Sequence, residues 1–215
     1  MRLIAYLLSC AARRAVLRDT LHSLSLSDWS SPVHVVEDSA TGGRAQTNQE
    51  FNALELLNRF SVNSDADVLV FAEDDLVFNS FIEHNLRAWT PLGRSLGSQF
   101  FGSVYNPGIR PLRSRDAEMG AYFYAEPDRV YGSQCFVLSR PTAVYVRDHY
   151  WEINGGQDIK LSRLAARVTP IFYHRPSLVQ HVGEVSTWGG RMHRAIDFDQ
   201  NWRAEVRRDS HDSSP

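Results

Sequence analysis

The sequence predicts an α/β fold: a Rossmann-like mixed sheet flanked by helices, in a single domain. Three observations predict it. The first 75 residues alternate short apolar runs with segments of helical period, giving the order β-α-β-α-β. The third apolar run, residues 68–72, is unbroken, as expected of a strand covered on both faces of a parallel sheet. A length of 215 residues suits one α/β domain with a full core.

The elements follow in order. Residues 2–9 read as a buried strand, and residues 14–26 as a helix with Val16, Leu17, Leu21 and Leu24 at helical spacing. Pro32 stops that unit, and residues 33–36 form a second strand running into Glu37 and Asp38. A loop with Gly42 and Gly43 leads to a helix over residues 45–60, with Phe51, Leu54, Leu57 and Phe60 on one face. The third strand, residues 68–72, follows. Beyond it the rhythm changes. A helix is expected over 81–89, a strand over 99–105, a turn at Asn106-Pro107-Gly108 and a polar, arginine-rich loop over 110–119. Further strands are expected over 121–124 and 133–138, helices over 141–149 and 158–166, and extended segments over 171–173 and 178–181. The domain spans 1–202, and the charged tail 203–215 is expected to fray.

Composition narrows the functional classes. With 43% hydrophobic and 22% charged residues, the chain is a packed globule. A net charge of −2 gives no general pull toward nucleic acid or an anionic membrane, so nucleic acid is not an expected partner. Cys10 and Cys135 make neither a disulfide framework nor a zinc spacing. Both lie in apolar runs as expected free thiols, which favours a reducing, cytoplasmic compartment. The first apolar run, residues 3–8, is too short to span a membrane and is followed by Arg13, Arg14 and Arg18. It reads as a strand and not as a signal peptide, so a soluble protein without a transmembrane segment is expected.

The chemistry concentrates at Glu73-Asp74-Asp75, which ends the most buried strand. In open α/β sheets, ligands bind at that edge. Alternate strand residues share a side, so Glu73 and Asp75 point together if the strand persists. Adjacent carboxylates repel and raise one another's pKa, and a hard divalent ion with oxygen preference relieves this. The plainer reading is a solvated turn in which Asp75 caps the next helix.

The run from Val68 to Phe81, with its acidic triplet closing a strand, resembles the metal-binding segment of the N-acetylglucosaminyltransferase I family. Ser9-Cys10-Ala11-Ala12-Arg13-Arg14, followed by Val16, Leu17 and Leu21, is similar to that family's first strand and helix. Val35-Val36-Glu37-Asp38 sits where the family carries an aspartate that contacts uracil, and Gly155-Gly156-Gln157-Asp158 resembles the segment holding its catalytic base. The likeness touches most of residues 3–165, and 83 residues separate Asp75 from Asp158. This chain is far shorter than those enzymes and, if complete, lacks the stem and anchor of a Golgi enzyme. Its first-loop arginine is displaced by one residue, so Arg13 and Arg14 compete for the nucleotide role. Pro176 to Gly183 looks more like other GT-A glycosyltransferases, whose late histidine meets the metal or the diphosphate.

The resemblance implies a GT-A-type fold, with a nucleotide-binding half over 1–75 and an acceptor half over 76–202. It implies a metal-dependent hexosyl- or N-acetylhexosaminyl-transferase that uses Mn²⁺ or Mg²⁺. The donor would be a nucleotide sugar, UDP-linked, and the acceptor a glycan or other hydroxyl compound attacked with inversion. Asp75 is then the metal ligand, with His181 on the metal or the diphosphate. Glu73 and Asp74 would contact metal-bound water, donor sugar or ribose. Cys10, Arg13, Arg14, Asp38 and Arg44 line the nucleotide, with Asn48 nearby, and Asp158 is the general base. Each has a plain alternative: a surface arginine, a turn aspartate, a packed histidine, a helix cap. Tyr122, Tyr124, Trp151 and Trp188 are candidates for a sugar-stacking wall, and the 110–119 loop for a lid. Two other classes remain. A nucleotidyltransferase would want a Gly-rich loop where this chain has Ser9-Cys10-Ala11-Ala12, and a non-catalytic sugar- or nucleotide-binding module would not need both Asp75 and Asp158.

Overall fold

The computed structural model describes residues 1–38, 45–63, 65–107, 121–126, 130, 132–183 and 193–205. Its strands are β1 (Leu3–Cys10), β2 (Val33–Asp38), β3 (Val68–Glu73), β4 (Leu76–Phe78), β5 (Phe101–Ser103), β6 (Ala121–Ala125), β7 (Cys135–Ser139), β8 (Ile171–Arg175) and β9 (Val179–His181). Its α-helices are α1 (Arg14–Ser25), α2 (Ala45–Asn63), α3 (Ile82–Ala88), α4 (Thr90–Arg94), α5 (Arg140–Asp148) and α6 (Gln157–Ala165).

Seven strands form one mixed sheet in the order β2-β1-β3-β7-β5-β8-β6. β1 pairs in parallel with β2 and with β3, which is the predicted nucleotide-binding half, and β7 then runs antiparallel between β3 and β5. The period-2 alternation of β1 divides the core. Ile4, Tyr6 and Leu8 join Leu69, Phe71, Phe136 and Leu138 under α2, α5 and α6. Leu3, Ala5 and Leu7 join Val68, Val70, Ala72 and Val137 under α1, α3 and α4. Leu69, Phe71 and Ala72 are fully buried. At about 1.5–3 kcal/mol for each large apolar side chain buried, Val68, Leu69, Val70 and Phe71 anchor β3 on both faces, and the acidic triplet leaves its end.

Four elements differ from expectation. β4 and the short α4 were not predicted: three residues and five residues are too few to show a period. The strand expected over 99–105 shortens to β5, where Gly102 lies so close to the Trp89 ring that a Cβ would collide with it. The buried face of α2 is Ala53, Leu56, Leu57 and Phe60, so Phe51 is turned outward and meets Trp151 at a ring-centroid distance of 5.1 Å.

β4 and β9 form a separate two-stranded ribbon. Below it, buried Asn79 and Asn85 bind the chain after residue 193: the Asn79 amide donates to the carbonyls of Asp199 (2.7 Å) and Trp202 (2.9 Å), and Ala204 N–H donates to Asn85 (2.8 Å). The 110–119 loop and residues 206–215 lie outside the described residues. No helix among the described residues is long and apolar enough to cross a membrane.

Candidate active site

The carboxyl ends of β1, β2 and β3 share one edge of the sheet. The parallel register sets Leu8 beside Glu73 and Cys10 beside Asp38, so Cys10, Asp38 and the triplet lie at the same edge of the sheet. Both Cys10 and Asp38 are half-buried there.

β3 stops at Glu73, and the chain bends over the next two residues. Strand alternation therefore does not carry through to Asp75: Asp74 and Asp75 both reach Arg13, while Glu73 turns to Ser133 and Gln157. Asp74 turns toward β1, where it accepts from the Ser9 hydroxyl (2.5 Å) and from Arg13 Nε (2.9 Å). Its backbone carbonyl accepts from the Thr20 hydroxyl at 2.6 Å. Burial outweighs these partners and holds its carboxyl above the ordinary value. Glu73 turns the other way, accepting from the Ser133 hydroxyl (2.5 Å) and the Gln157 amide (3.1 Å). Burial, reinforced by the charge of Asp75, pushes its carboxyl up to about 7.

Asp75 is 3% exposed. Its backbone carbonyl accepts from Val182 N–H at 2.9 Å, and Leu76 stands opposite His181 in the β4–β9 ladder. That register brings His181 Nε2 to 3.0 Å from Asp75 Oδ2, an oxygen that also accepts from Arg13 Nη2. Burial pushes the Asp75 carboxyl up, but His181 and Arg13 together hold it below its usual value. Burial likewise pulls the His181 imidazole down, and Asp75 more than compensates, leaving it raised. His181 Nδ1 faces the carbonyl of His193 at 3.2 Å, and the Tyr105 hydroxyl is 2.9 Å from both that carbonyl and His193 Nδ1.

Among the described residues, no three His, Cys, Asp or Glu side chains converge as a closed metal cage. The Asp75–His181 pair nonetheless fits one side of a divalent site. Asp75 Oδ1 is buried and has no hydrogen-bond partner among the described residues. Gly183 lies against Asp75 Oδ2 and His181 Nε2, where a Cβ would collide with both. A hard oxygen and an imidazole nitrogen 3.0 Å apart are donors that suit an ion which takes its other ligands from water and phosphate.

The amino end of α6 reaches the triplet at Glu73. Gly155, at φ +130°, and Gly156 lead into it, and Gln157 links Glu73 to Ser133 (2.6 Å to the Ser133 hydroxyl). Asp158 follows directly. It is not the cap, which is Gly156. It stands in the first helical turn and accepts from Gly132 N–H at 3.0 Å. Carboxylates are favoured there by the helix dipole.

The structure separates the two candidate arginines. Arg13 enters the acidic cluster, while Arg14 is exposed and pairs with Glu37 at 2.8 Å. Arg44 and Trp188 lie outside the described residues, and Asn48 is half-buried on α2. The aromatic wall does not assemble. Tyr122 and Tyr124 pack on Phe172 at the β6 edge, four strands and so about 19 Å from β3. Trp151 packs by Phe51 and Lys160 among the helices of the other face. Sequence reasoning missed Ser9, Ser133, Gln157 and Gly183 as the groups that set the carboxylates. Ser9, Gln157 and Gly183 do lie in the quoted motifs, but nothing local marks Ser133.

Neither the protein-family models nor the curated proteins include a match to this chain. Solved structures do match. A197 from STIV aligns over 97% of this chain and 100% of its own, with 15% identity and a TM-score of 0.53. TarS 1–349 of S. aureus, in complex with UDP, aligns over 80% of this chain and 57% of its own, with 12% identity and a TM-score of 0.51. A longer S. aureus TarS structure aligns over 80% of this chain and 35% of its own, with 10% identity and a TM-score of 0.53. The architecture is the GT-A type. At these identities the likeness is one of fold.

Proposed function

We propose that this protein is a metal-dependent glycosyltransferase that moves a sugar from a nucleotide-diphosphate donor, UDP-linked, to an acceptor hydroxyl with inversion. The observation that carries this reading is the buried Asp75, with one carboxylate oxygen that has no hydrogen-bond partner among the described residues and one oxygen at 3.0 Å from His181, at the ligand-binding edge of a GT-A sheet. The complex of the similarly folded TarS with UDP supports the choice of nucleotide. The finer resemblance to the N-acetylglucosaminyltransferase I family rests on the triplet and the Gly155–Asp158 segment. The free thiols of Cys10 and Cys135 support a cytoplasmic site of action.

Each residue then has a task. Asp75 and His181 hold Mn²⁺ or Mg²⁺, which when bound supplies Lewis-acid stabilisation of the diphosphate leaving group. Asp38, across from Cys10, accepts from uracil N3–H or a ribose hydroxyl. Asp74, fixed by Ser9, and Glu73, fixed by Ser133 and Gln157, present carboxylates to ribose and donor sugar. Asp158 takes the proton of the acceptor hydroxyl as it attacks the anomeric carbon from the face opposite the diphosphate.

A thermal-shift screen of nucleotide sugars with and without Mn²⁺ tests this. UDP-sugars should raise the Tm only when Mn²⁺ is present, because a ligand selective for the folded state stabilises it. Slow, Mn²⁺-dependent hydrolysis of the stabilising donor then separates an enzyme from a binding module, and release of pyrophosphate from a nucleoside triphosphate would point to a nucleotidyltransferase instead.

A further inference from the structure

The acidic seat is already neutralised from within the chain. Arg13 Nη2 binds Asp75 Oδ2 and its Nε binds Asp74 Oδ1 at 2.9 Å, so one guanidinium bridges the two carboxylates. The oxygen it takes on Asp75 is the one that also meets His181. Its approach is from the open side: the Arg13 side chain is 27% exposed, against 5% for Asp74 and 4% for Asp75. Other groups hold the carboxylates and the backbone beneath them: Ser9 donates to the Asp74 carboxylate, His181 meets the Asp75 carboxylate, and the Thr20 hydroxyl and Val182 N–H donate to the backbone carbonyls of Asp74 and Asp75. Arg13 closes a single 3-10 turn between β1 and α1 and contributes nothing buried to either core. It can therefore leave the seat without unmaking the fold.

We infer that Arg13 is a displaceable counter-ion: it occupies the metal seat until a divalent cation arrives, and then moves onto the donor's diphosphate. This rests on the metal-dependent reading above and adds the coupling between metal and donor. A guanidinium and a divalent ion cannot share Asp75 Oδ2 without strong repulsion. Once released, the planar fork of Arg13 suits two phosphate oxygens, so the displaced charge is not lost but transferred. Mn²⁺ alone then binds weakly because it must evict an arginine. Mn²⁺ with UDP binds well because the arginine gains a new partner.

The test measures Mn²⁺ alone, by the electron paramagnetic resonance signal of the free ion, and UDP with and without Mn²⁺, by calorimetry. The proteins are wild type, Arg13→Gln, Arg13→Lys and Asp75→Asn. Arg13→Gln should bind Mn²⁺ alone about tenfold more tightly than wild type, while the gain in UDP affinity conferred by Mn²⁺ falls about tenfold, within the usual span of coupling between sites. Its Tm should drop in EDTA and recover with Mn²⁺. Arg13→Lys, which keeps the charge and loses the fork, should fall between, and it serves if the glutamine variant does not fold. Mn²⁺ affinity that is unchanged or weaker in folded Arg13 variants overturns the inference; if Asp75→Asn alone loses Mn²⁺, the metal reading stands without it. If none of the four proteins binds Mn²⁺, both readings fall.

Discussion

Asp75 and His181 lie 106 residues apart in sequence and meet at 3.0 Å, because Leu76 and His181 are partners in a three-residue ladder. The site therefore depends on β4 and β9, two strands of three residues each. A carboxylate at position 75 and an imidazole at position 181 come together only when this ribbon forms.

The glycine beside that pair gives a sharp local test. A methyl group at position 183 would strike Asp75 Oδ2 and His181 Nε2. Gly183→Ala should keep the fold, since neither core includes this position, yet lower Mn²⁺-supported UDP affinity by about tenfold or more, as a lost contact of about 1.4 kcal/mol or more would. Calorimetry showing wild-type affinity in this variant would mean that Asp75 and His181 do not act as a pair.

At Asp158 the expectation is kinetic. Asp158→Asn should cut kcat by about 10²–10⁴-fold with donor affinity nearly unchanged, as for loss of a general base. Asparagine keeps an oxygen to accept from Gly132 N–H, so the start of α6 should survive. The product's anomeric configuration, read by NMR, should be opposite to that of the donor. A fully active variant, or a product that retains the donor configuration, would move the chemistry to another residue.

Glu73 sets a pH dependence of stability. Its carboxyl is raised from 4.5 to about 7, so between those values the folded chain holds a proton that the unfolded chain has released. Stability from this group is therefore unaffected below about 4.5, declines as pH rises through the window, and is fully reduced above about 7. Glu73→Gln removes the titration and keeps an acceptor for the Ser133 hydroxyl. In EDTA, the Tm of Glu73→Gln relative to wild type should climb between pH 4.5 and pH 8. A difference that stays flat over that range contradicts the raised pKa.

Much of this was legible in the sequence because long elements carry their own period. β1, α1, β2, α2 and β3 were placed within a few residues, and with them the triplet at the sheet's edge. What escaped was set by pairing across distance. Nothing in Leu76–Phe78 announces a strand until Val179–His181 lies beside it. Arg13 and Arg14 are adjacent and alike in composition; only the 3-10 turn at Ala11–Arg13 aims one at Asp74 and Asp75 and leaves the other against Glu37. Glu73 and Asp75 were expected to share a side if the strand persisted; it does not, because β3 ends at Glu73, two residues before Asp75. Of the expected wall of Tyr122, Tyr124, Trp151 and Trp188, the sheet puts Tyr122 and Trp151 on different faces, and Trp188 lies outside the described residues; grouping aromatics by chemistry carries no information about face.

Base preference tests the nucleotide end of the crevice. Asp38 ends β2 opposite Cys10 and is expected to accept from uracil N3–H. UDP should bind more tightly than GDP in the presence of Mn²⁺, and Asp38→Ala should narrow the gap by weakening UDP about tenfold, the loss expected for one hydrogen bond to a charged group. Tighter binding of GDP by the wild-type protein would reject the assignment.

The most direct measurement is UDP binding, by calorimetry with and without Mn²⁺, to wild type and Asp75→Ala, with circular dichroism to establish that both are folded. Because Asp75 carries the free oxygen and meets His181, wild type should bind UDP markedly better with Mn²⁺, and Asp75→Ala should lose that gain. Equal, Mn²⁺-dependent affinity in the two folded proteins would contradict a metal-dependent glycosyltransferase built on Asp75.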